Sequence, residues 1–275
     1  MKKLTFIISL LTVLNLNAQT IDDYQQKLEE CFNAGDYKCA EENALASISL
    51  ADKNYNKLHL LYSNLGTIQR RLGKMDEAMT SYNKACELKC TPSVLANRAS
   101  LKRQMDDLIG SLEDYNQAIA LKPTNEELLI NRSFTKKLLG DTIGAENDLV
   151  LILQFDPDNY KAFTNLLNIK VSKGEYKYAL EKYDEMIANH PNEALLYNNR
   201  ADVHLKMKNY DNAFKDINMS IKMAKEYDNA YVTRAEIFLA TDNKRKALRD
   251  LQEAVKLGNK TQHVQELIKE CNKKK

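Results

Sequence analysis

The sequence predicts an all-α fold built from repeated helix-turn-helix units, and three observations lead to this prediction. Three of the four prolines, Pro123, Pro157 and Pro191, follow one another at intervals of 34 residues. Small residues return at the same interval in two series. Between these markers, apolar residues recur at i, i+3, i+4 and i+7, which is the spacing of one buried helix face. A fixed interval of this length indicates stacked units that share a continuous core.

Seven repeats account for most of the chain. In each repeat, a first helix (helix A) carries a small residue, numbered here as position 8, and a short turn leads to a second helix (helix B). The first repeat is expected to have a longer helix B and a four-residue insertion, and repeats three, six and seven lack the usual glycine of the turn. The repeats begin near Ile21, His59, Pro92, Glu126, Tyr160, Ala194 and Asp228.

One segment carries the pattern almost completely. Residues Tyr62–Leu88, YSNLGTIQRRLGKMDEAMTSYNKACEL, contain an aromatic residue, Leu-Gly, a turn Gly, Ala, Tyr and a second Ala at fixed distances. This segment resembles the tetratricopeptide repeat (TPR), a helix-turn-helix unit of 34 residues. The resemblance covers residues 19–258 and implies a right-handed α-superhelix, the TPR solenoid. It also implies that helix A lines a concave face, mainly through positions 2, 5, 6, 9, 12 and 13 of each repeat.

The first 18 residues have the composition of a secretory signal peptide. Lys2 and Lys3 precede the apolar run LTFIISLLTVLNL, and the small residue Ala18 closes the segment. The run is interrupted by polar residues and is shorter than the ~20 apolar residues that a membrane-spanning helix needs. We therefore expect cleavage after Ala18 and export to the periplasm or the extracellular space. An N-terminal membrane anchor is the alternative.

Residues 259–275 are expected to form a capping helix and a basic tail. Val264, Leu267, Ile268 and Cys271 make one apolar stripe on an otherwise polar segment. A repeat array needs a terminal element that covers its last core and has a hydrophilic outer face. The segment Lys273–Lys275 is most simply a solvated end.

Charge and motif content argue against several classes of function. Removal of Lys2 and Lys3 reduces the 40 basic residues to 38, which equals the number of acidic residues, whereas nucleic-acid binding depends on a basic surface. The four histidines occupy unrelated repeat positions and have no partners at catalytic spacing. No histidine lies near a cysteine pair at zinc-ligand spacing. The sequence therefore predicts no catalytic residue, metal site or cofactor, no nucleic-acid partner and no membrane-spanning segment in the mature chain.

Position 7 of helix A and position 23 of helix B vary together. Where position 7 is Leu65 or Leu166, position 23 is Ser81 or Lys182; in the other repeats from three to seven, Arg is matched by Asp. Leucine marks position 7 as a core position, where an unpaired charge would be costly. We interpret the matched residues as structural ion pairs with two parallel hydrogen bonds; a row of ligand-binding arginines is the alternative. The pairs are Arg98 with Asp114, Arg132 with Asp148, Arg200 with Asp216 and Arg234 with Asp250.

Two features distinguish the expected concave face. Position 6 is asparagine in five consecutive repeats, and an amide can hydrogen-bond either the backbone of an extended peptide or a neighbouring helix. Position 12 is basic in repeats two to four and apolar in repeats five to seven, and Lys102, Lys136 and Lys170 at position 11 add to the basic part. The predicted peptide-binding residues are Asn64, Asn97, Asn131, Asn165 and Asn199, the basic residues Arg70, Arg71, Arg103 and Lys137, and the apolar residues Val171, Leu205 and Leu239.

The five cysteines do not form an obvious framework, because their number is odd and their spacing uneven. Cys31 and Cys39 flank the turn of the first repeat and are a candidate disulfide, since two antiparallel helix ends can bring Cα atoms within ~7 Å. Cys86 and Cys90 are a weaker candidate pair. The alternative is that all five thiols are reduced.

The leading hypothesis is an exported adaptor or scaffold that binds a protein or an extended peptide in its concave groove, without catalysis. Two alternatives stay open. One is an envelope-glycan or cell-wall binding protein whose polar groove residues and tyrosines hold sugars. The other is a structural subunit that assembles through its convex face or its capping helix. The fold does not choose between these functions, and the sequence identifies neither the partner nor the oligomeric state.

Overall fold

The computed structural model describes residues 20–273, and the regular structure of this part of the chain consists of α-helices without strands. The all-α prediction is therefore confirmed. The predicted signal peptide, residues 1–18, and the last two lysines of the basic tail lie outside the described residues. The helices are α1 (Ile21–Asn33), α2 (Tyr37–Leu50), α3 (Leu58–Arg71), α4 (Met75–Lys89), α5 (Pro92–Gln104), α6 (Leu108–Leu121), α7 (Glu126–Leu138), α8 (Thr142–Phe155), α9 (Tyr160–Ser172), α10 (Tyr176–Asn189), α11 (Ala194–Lys206), α12 (Tyr210–Met223), α13 (Asp228–Ala240), α14 (Lys244–Lys256) and α15 (Gln262–Asn272).

Consecutive helices pair as the A and B helices of seven repeats. The odd-numbered helices from α1 to α13 are A helices, the even-numbered helices from α2 to α14 are B helices, and α15 follows the last pair. The A helices begin at the predicted residues, except that α3 begins one residue before His59. The expectation of a longer helix B in the first repeat is wrong. Helix α2 has 14 residues, as α6 does, and the additional residues lie in the connection 51–57.

The chain divides into two compact halves, each with its own core. The N-terminal half ends at Phe163 and the C-terminal half begins at Thr164. In both halves the recurring small residues are completely buried, so helices A and B approach one another closely. The alanines with no exposed surface include Ala78, Ala99 and Ala145 in the N-terminal half and Ala179, Ala201, Ala213, Ala235 and Ala247 in the C-terminal half.

One position-8 glycine is required by close packing. A Cβ atom on Gly66 would lie 2.9 Å from ring carbons of Tyr82, whose side chain is fully buried. The Tyr82 hydroxyl lies 3.0 Å from Thr67 Oγ1, so both ends of the ring are fixed. The glycine and the tyrosine of the repeat pattern are therefore a contact pair between helices α3 and α4.

The turns between helices A and B keep one backbone conformation whether or not glycine is present. Gly73, Gly140 and other turn glycines have φ near +80°. The repeats without this glycine place Asp106, Lys208 and Asp242 at the same position, with φ of 66°, 58° and 55°. Asn and Asp tolerate this left-handed region better than most residues, whereas lysine has no such preference. The geometry of the turn is thus imposed by the helices that it joins.

Helix α15 covers the end of the C-terminal half. Val264 is 1% exposed and belongs to a cluster with Leu251 and Ala254 of α14. Leu267, Ile268 and Cys271 pack against the same cluster. These are the four residues of the predicted apolar stripe, so α15 has the packing expected of a capping helix.

Candidate functional site

A basic cleft lies on the A helices of repeats two, three and four, all within the N-terminal half. Its volume is about 610 Å³. The lining comes from positions 9, 12 and 13, which are among the concave-face positions implied by the sequence. The lining residues are Arg70 and Arg71 of α3, Ser100, Arg103 and Gln104 of α5, and Phe134 and Leu138 of α7. Three guanidinium groups and two large apolar side chains therefore border one cavity.

Arg103 is held in a fixed orientation by repeat four. Its Nη1 atom donates to the carbonyl oxygen of Asn131 at 3.1 Å and to Thr135 Oγ1 at 3.3 Å. Its guanidinium carbon lies 4.9 Å from the centroid of the Phe134 ring and 5.9 Å from that of Tyr115. These are cation–π distances. The charge of Arg103 is consequently oriented before any ligand binds.

The other predicted basic residues have fewer constraints. Within residues 20–273, the guanidinium groups of Arg70 and Arg71 have no hydrogen-bond acceptor, and both residues lie in the last turn of α3. A positive charge is favoured there by the helix dipole, and the donors remain available to an anion. Lys137 is exposed on α7 but does not line the cleft.

The lysines at position 11 of repeats three and four do not contribute to the cleft. Lys102 Nζ lies 3.0 Å from Asp114 Oδ2, and Lys136 Nζ lies 2.9 Å from Asp148 Oδ1. The expectation that these lysines extend the basic part of the concave face is therefore wrong. Each of them is held by a carboxylate on helix B of its own repeat.

The predicted apolar half of the groove needs a larger correction. Val171 is 6% exposed, so its side chain cannot act as a ligand anchor. Leu205 packs against the cluster that contains Ile217, and Leu239 packs against the cluster that contains Val264. The apolar side chains at position 12 of repeats five to seven thus pack, partly or completely, into the core of the C-terminal half.

The asparagines at position 6 do not share one role. Asn97 Nδ2 donates to Ser63 Oγ of the preceding repeat at 3.2 Å, as the alternative of a neighbouring-helix contact expects. Asn131 Nδ2 donates to the carbonyl oxygen of Glu127 in its own helix at 2.9 Å. The remaining side chains are exposed at Asn64 and Asn165 and half-buried at Asn199.

Asn64 also borders a second cleft, which lies between the A helices of repeats one and two. This cleft has a volume of about 600 Å³ and a lining of apolar and amide side chains, with the carboxylate of Glu29 and the hydroxyl of Thr67. The apolar members are Leu28, Phe32 and Ile68. It adds exposed concave surface to the N-terminal half, without a basic group.

All four predicted Arg–Asp pairs are brought together in bidentate contact. Nε donates to Oδ2 at 2.7–2.9 Å, and Nη2 donates to Oδ1 at 2.7–2.8 Å. The arginine side chains are 17–22% exposed and the aspartates are buried. The guanidinium forks face the carboxylates on helix B, as the structural interpretation expects. The pairs are Arg98–Asp114, Arg132–Asp148, Arg200–Asp216 and Arg234–Asp250.

A further contact, which the sequence analysis missed, links each of these arginines to the repeat before it. The third donor, Nη1, binds the side-chain oxygen at position 25 of the preceding helix B. The acceptors are Asn83 at 3.1 Å, Asn116 at 2.9 Å, Asp184 at 2.5 Å and Asn218 at 3.0 Å. The signal was available, because position 25 before Leu166 is Val150 and not Asn or Asp. Each arginine therefore connects two repeats.

Repeat six has a different residue in contact with the buried carboxylate. His204 occupies position 11, and its Nε2 atom lies 3.8 Å from Asp216 Oδ2. Its Nδ1 atom is buried without a hydrogen-bond partner. Burial lowers the pKa of His204, and the charge of Asp216 opposes this effect only in part. A cavity of about 270 Å³ lies beside the imidazole, bordered also by Asp184 and Lys215.

Four of the five cysteines are paired in the structure. Cys31 and Cys39 form a disulfide with a Cα–Cα distance of 5.8 Å across the first turn. Cys86 and Cys90, which were the weaker candidate pair, are also joined, with a Cα–Cα distance of 4.0 Å. Cys271 of α15 is a free thiol.

The described residues offer no grouping for metal chemistry, since no three His, Cys, Asp or Glu side chains of residues 20–273 are placed to hold an ion. No helix in this part of the chain has the length and apolar content needed to cross a membrane.

Two kinds of comparison relate this geometry to known proteins. The family model described as "Tetratricopeptide repeat" matches residues 60–89 and 194–227. The chain is also similar to the crystal structure of a tetratricopeptide repeat protein from Parabacteroides merdae. The identity is 29%, the TM-score is 0.78, and the match covers 92% of this chain and 99% of the other. No curated protein sequence matches the chain.

More distant structures share the fold alone. One is the APC/C hetero-tetramer Cut9-Hcn1, with 14% identity, a TM-score of 0.61, and coverage of 95% of this chain and 51% of the other. Another is PilF of Pseudomonas aeruginosa, with 17% identity, a TM-score of 0.55, and coverage of 77% and 97%.

Proposed function

Because the chain is a tetratricopeptide repeat protein of about seven repeats and a capping helix, we propose that it binds a segment of another protein, as an extended peptide, on the concave face of its A helices. The repeat fold itself indicates a protein–protein interaction scaffold, and proteins of this kind are generally non-catalytic. We propose in addition where the peptide binds, what its chemistry is, and that the protein is exported.

The observation that carries this proposal is the basic cleft. Concave-face positions of three consecutive repeats supply its lining, so a ligand there would contact helices α3, α5 and α7 together. Phe134 and Leu138 are each about half exposed, at 50% and 49%, although both are large and apolar. A cavity with a few convergent charged groups and exposed apolar walls is the usual form of a binding site.

The chemistry of the cleft selects an acidic ligand. Arg70 and Arg71 have unoccupied donors, and a guanidinium group can bind a carboxylate through two parallel hydrogen bonds. Arg103 adds a third, pre-oriented positive charge. We expect an acidic side chain or a free C-terminal carboxylate in the cleft, with Lys137 increasing the attraction from outside it. The exposed amide of Asn64, in the same half of the chain as the cleft, is suited to bind peptide backbone.

Fluorescence anisotropy with labelled peptides tests the proposal. A peptide with a free C-terminal carboxylate and acidic residues is compared with the same peptide in which these groups are amides. Replacing Arg70 and Arg71 with Gln should weaken binding of the acidic peptide by about tenfold or more and reduce its salt dependence. The matched control replaces Lys215 and Lys222 with Gln, since these lysines lie on α12 of the C-terminal half.

Equal affinity for the acidic and the amide peptides would contradict the proposal. Binding of cell-wall fragments that competes with neither peptide would favour the envelope-glycan alternative. A concentration-dependent mass in light scattering, with no peptide binding, would favour a structural subunit.

We propose that the protein acts outside the cytoplasm. Residues 1–18 have the composition of a signal peptide, and Thr20 caps α1 with its own side chain, so removal of these residues leaves the first helix with its N-cap. We expect the exported chain to begin at Gln19. Mass spectrometry of the exported protein tests this, and an intact Met1 would contradict it.

A further inference from the structure

The most exposed large apolar side chains of the described residues lie beside the turns between helices A and B of repeats three and four. Ile109 is 66% exposed and Ile143 is 70% exposed, and both occupy position 18, in the first turn of helix B. Met105 and Leu139 occupy position 14, at the end of helix A in the same two repeats, and are 41% and 38% exposed. These four residues, called the apolar edge here, all belong to the N-terminal half.

The fold does not require the two isoleucines of this edge, Ile109 and Ile143. Position 18 is charged in the other four repeats from two to seven, where it is Asp76, Lys177, Asp211 and Arg245. Asp107 and Asp141 cap α6 and α8 by accepting from Gly110 and Gly144, so the helix starts are stabilised without the isoleucines. A clustered exposure of large apolar side chains, without a structural reason, marks an interaction surface.

The apolar edge adjoins the basic cleft at the C-terminal end of α7. Leu138 lines the cleft, and Leu139, the next residue, belongs to the edge. Phe134 lies one helical turn before Leu138 on α7 and contacts Arg103 of the cleft. Exposed apolar side chains are therefore present both on the wall of the cleft and at the adjoining turns of repeats three and four, while the free guanidinium groups of Arg70 and Arg71 lie on the repeat-two side.

We propose that the apolar edge binds aliphatic or aromatic side chains of the same peptide whose acidic group occupies the basic cleft. The partner is then a segment that carries large apolar residues next to an acidic group. This inference rests on the proposed function and defines the ligand more closely. The sequence predicted that Val171, Leu205 and Leu239 contact the apolar side chains of the ligand, but the structure buries these residues wholly or in part. The residues of the apolar edge are accessible and are proposed for this role instead.

Charge supports this occupant over a second copy of the chain. The edge adjoins three arginines, so two copies that met through this surface would bring like charges close together, whereas an acidic peptide neutralises them. The two parts of the surface should act on different rates: the arginines speed and orient association, and buried apolar anchors slow dissociation.

The experiment uses the mature chain and two labelled synthetic peptides. Both carry the same acidic residues and a free C-terminal carboxylate, and they differ in having Leu and Ile or only Ala beside the acids. The key variant is I109K/I143K. Lysine or arginine already occupies position 18 in repeats five and seven, so the variant should fold, and circular dichroism melting verifies this. The added positive charge would by itself favour an acidic peptide.

We expect I109K/I143K to bind the apolar peptide about tenfold more weakly, mainly through faster dissociation, and the alanine peptide no more weakly. The control M207K/M219K makes the same charge change at exposed apolar positions of repeat six and should leave both affinities unchanged.

The outcomes separate this inference from the proposed function. If Arg70→Gln/Arg71→Gln weakens binding while I109K/I143K does not, the apolar edge is not a contact and the basic cleft stands alone. If neither variant weakens binding, both proposals are overturned. A dimer that I109K/I143K dissociates would show that the edge joins two copies of the chain, which also overturns the inference.

Discussion

The arginine at position 7 donates hydrogen bonds from Nε, Nη1 and Nη2 to three different oxygen atoms of two acceptor residues. In repeat six, Arg200 donates Nε and Nη2 to Asp216 and Nη1 to Asp184 of the preceding helix B. The aspartate that completes each pair is buried, so removal of its charge leaves a guanidinium group that is largely desolvated and only partly compensated. The structural role of the pairs can therefore be measured as stability.

Replacement of Asp216 with Asn should lower the free energy of unfolding by about 3 kcal/mol, because one partner of a mostly buried ion pair loses its charge. Chemical denaturation followed by circular dichroism measures the change. The control is Asp211→Asn, at an exposed position of the same helix, which should change stability little. An unchanged unfolding midpoint in the Asp216 variant would refute the structural interpretation.

His204 should make the stability of the C-terminal half depend on pH. Burial lowers its pKa below the ordinary value of 6.5, so the folded state favours the neutral imidazole. The unfolded chain then binds the proton more tightly, and the stabilisation is present above pH 6.5 and is lost as pH falls through the lowered pKa of the folded state.

His204→Gln should remove this contribution. Glutamine occupies position 11 in repeat two, where Gln69 accepts from Ser81 at 2.7 Å, so the repeat accommodates it. Melting temperatures of the two proteins, measured between pH 8 and pH 5, should diverge towards the acid side, with the wild type losing more. Parallel curves would show that His204 is not the group responsible.

At the scale of elements, the starts of the A helices could be predicted because the repeat interval and the 3.6-residue periodicity agree over most of the chain. The turns of repeats three, six and seven were harder, since their sequences lack glycine. Lys208 adopts a positive φ there only because α11 and α12 have to meet at that angle. Tertiary packing determined that conformation, and no local pattern reports it.

The capping helix α15 should be necessary for the stability of the last repeat. Val264→Asp would place a charge in a cluster where the valine is 1% exposed, and we expect a loss of at least about 2 kcal/mol. Gln265→Asp, one residue further and exposed, is the control. Binding of a hydrophobic dye should rise in the first variant only. Equal melting temperatures for both variants would show that the packing of α15 does not contribute to the stability of the last repeat.

The two disulfides should be detectable in protein recovered from an oxidising compartment. Thiol titration in denaturant without a reductant should find one free thiol, that of Cys271. A reductant should lower the melting temperature, because the Cys31–Cys39 bridge restricts the unfolded chain and contributes roughly 2–3 kcal/mol. Cys271→Ser should leave no free thiol. Five free thiols would contradict both pairings.

At the scale of the whole molecule, the basic part of the candidate site could be predicted and the apolar part could not. Repeat position was enough for Arg70 and Arg103, because a charged residue at a concave-face position stays near solvent. It was not enough for Val171 or Leu205, since an apolar side chain at the same position can turn into the core. At position 18 the sequence does contrast Ile109 and Ile143 with Asp76 and Asp211, but a buried isoleucine would give the same contrast, and only the structure shows that both side chains are exposed.

The bridge made by the position-7 arginine also limits how the repeats can be rearranged. An arginine repeat keeps this hydrogen bond only when the preceding repeat has Asn or Asp at position 25. Repeat seven could follow repeat two or three, which supply Asn83 and Asn116, but not repeat four, which supplies Val150. Duplication, loss or exchange of single repeats therefore preserves the inter-repeat hydrogen bond only at junctions with matching acceptors. A shortened or extended version of this array therefore has to be designed with each arginine repeat and its preceding neighbour considered together, and not by the 34-residue interval alone.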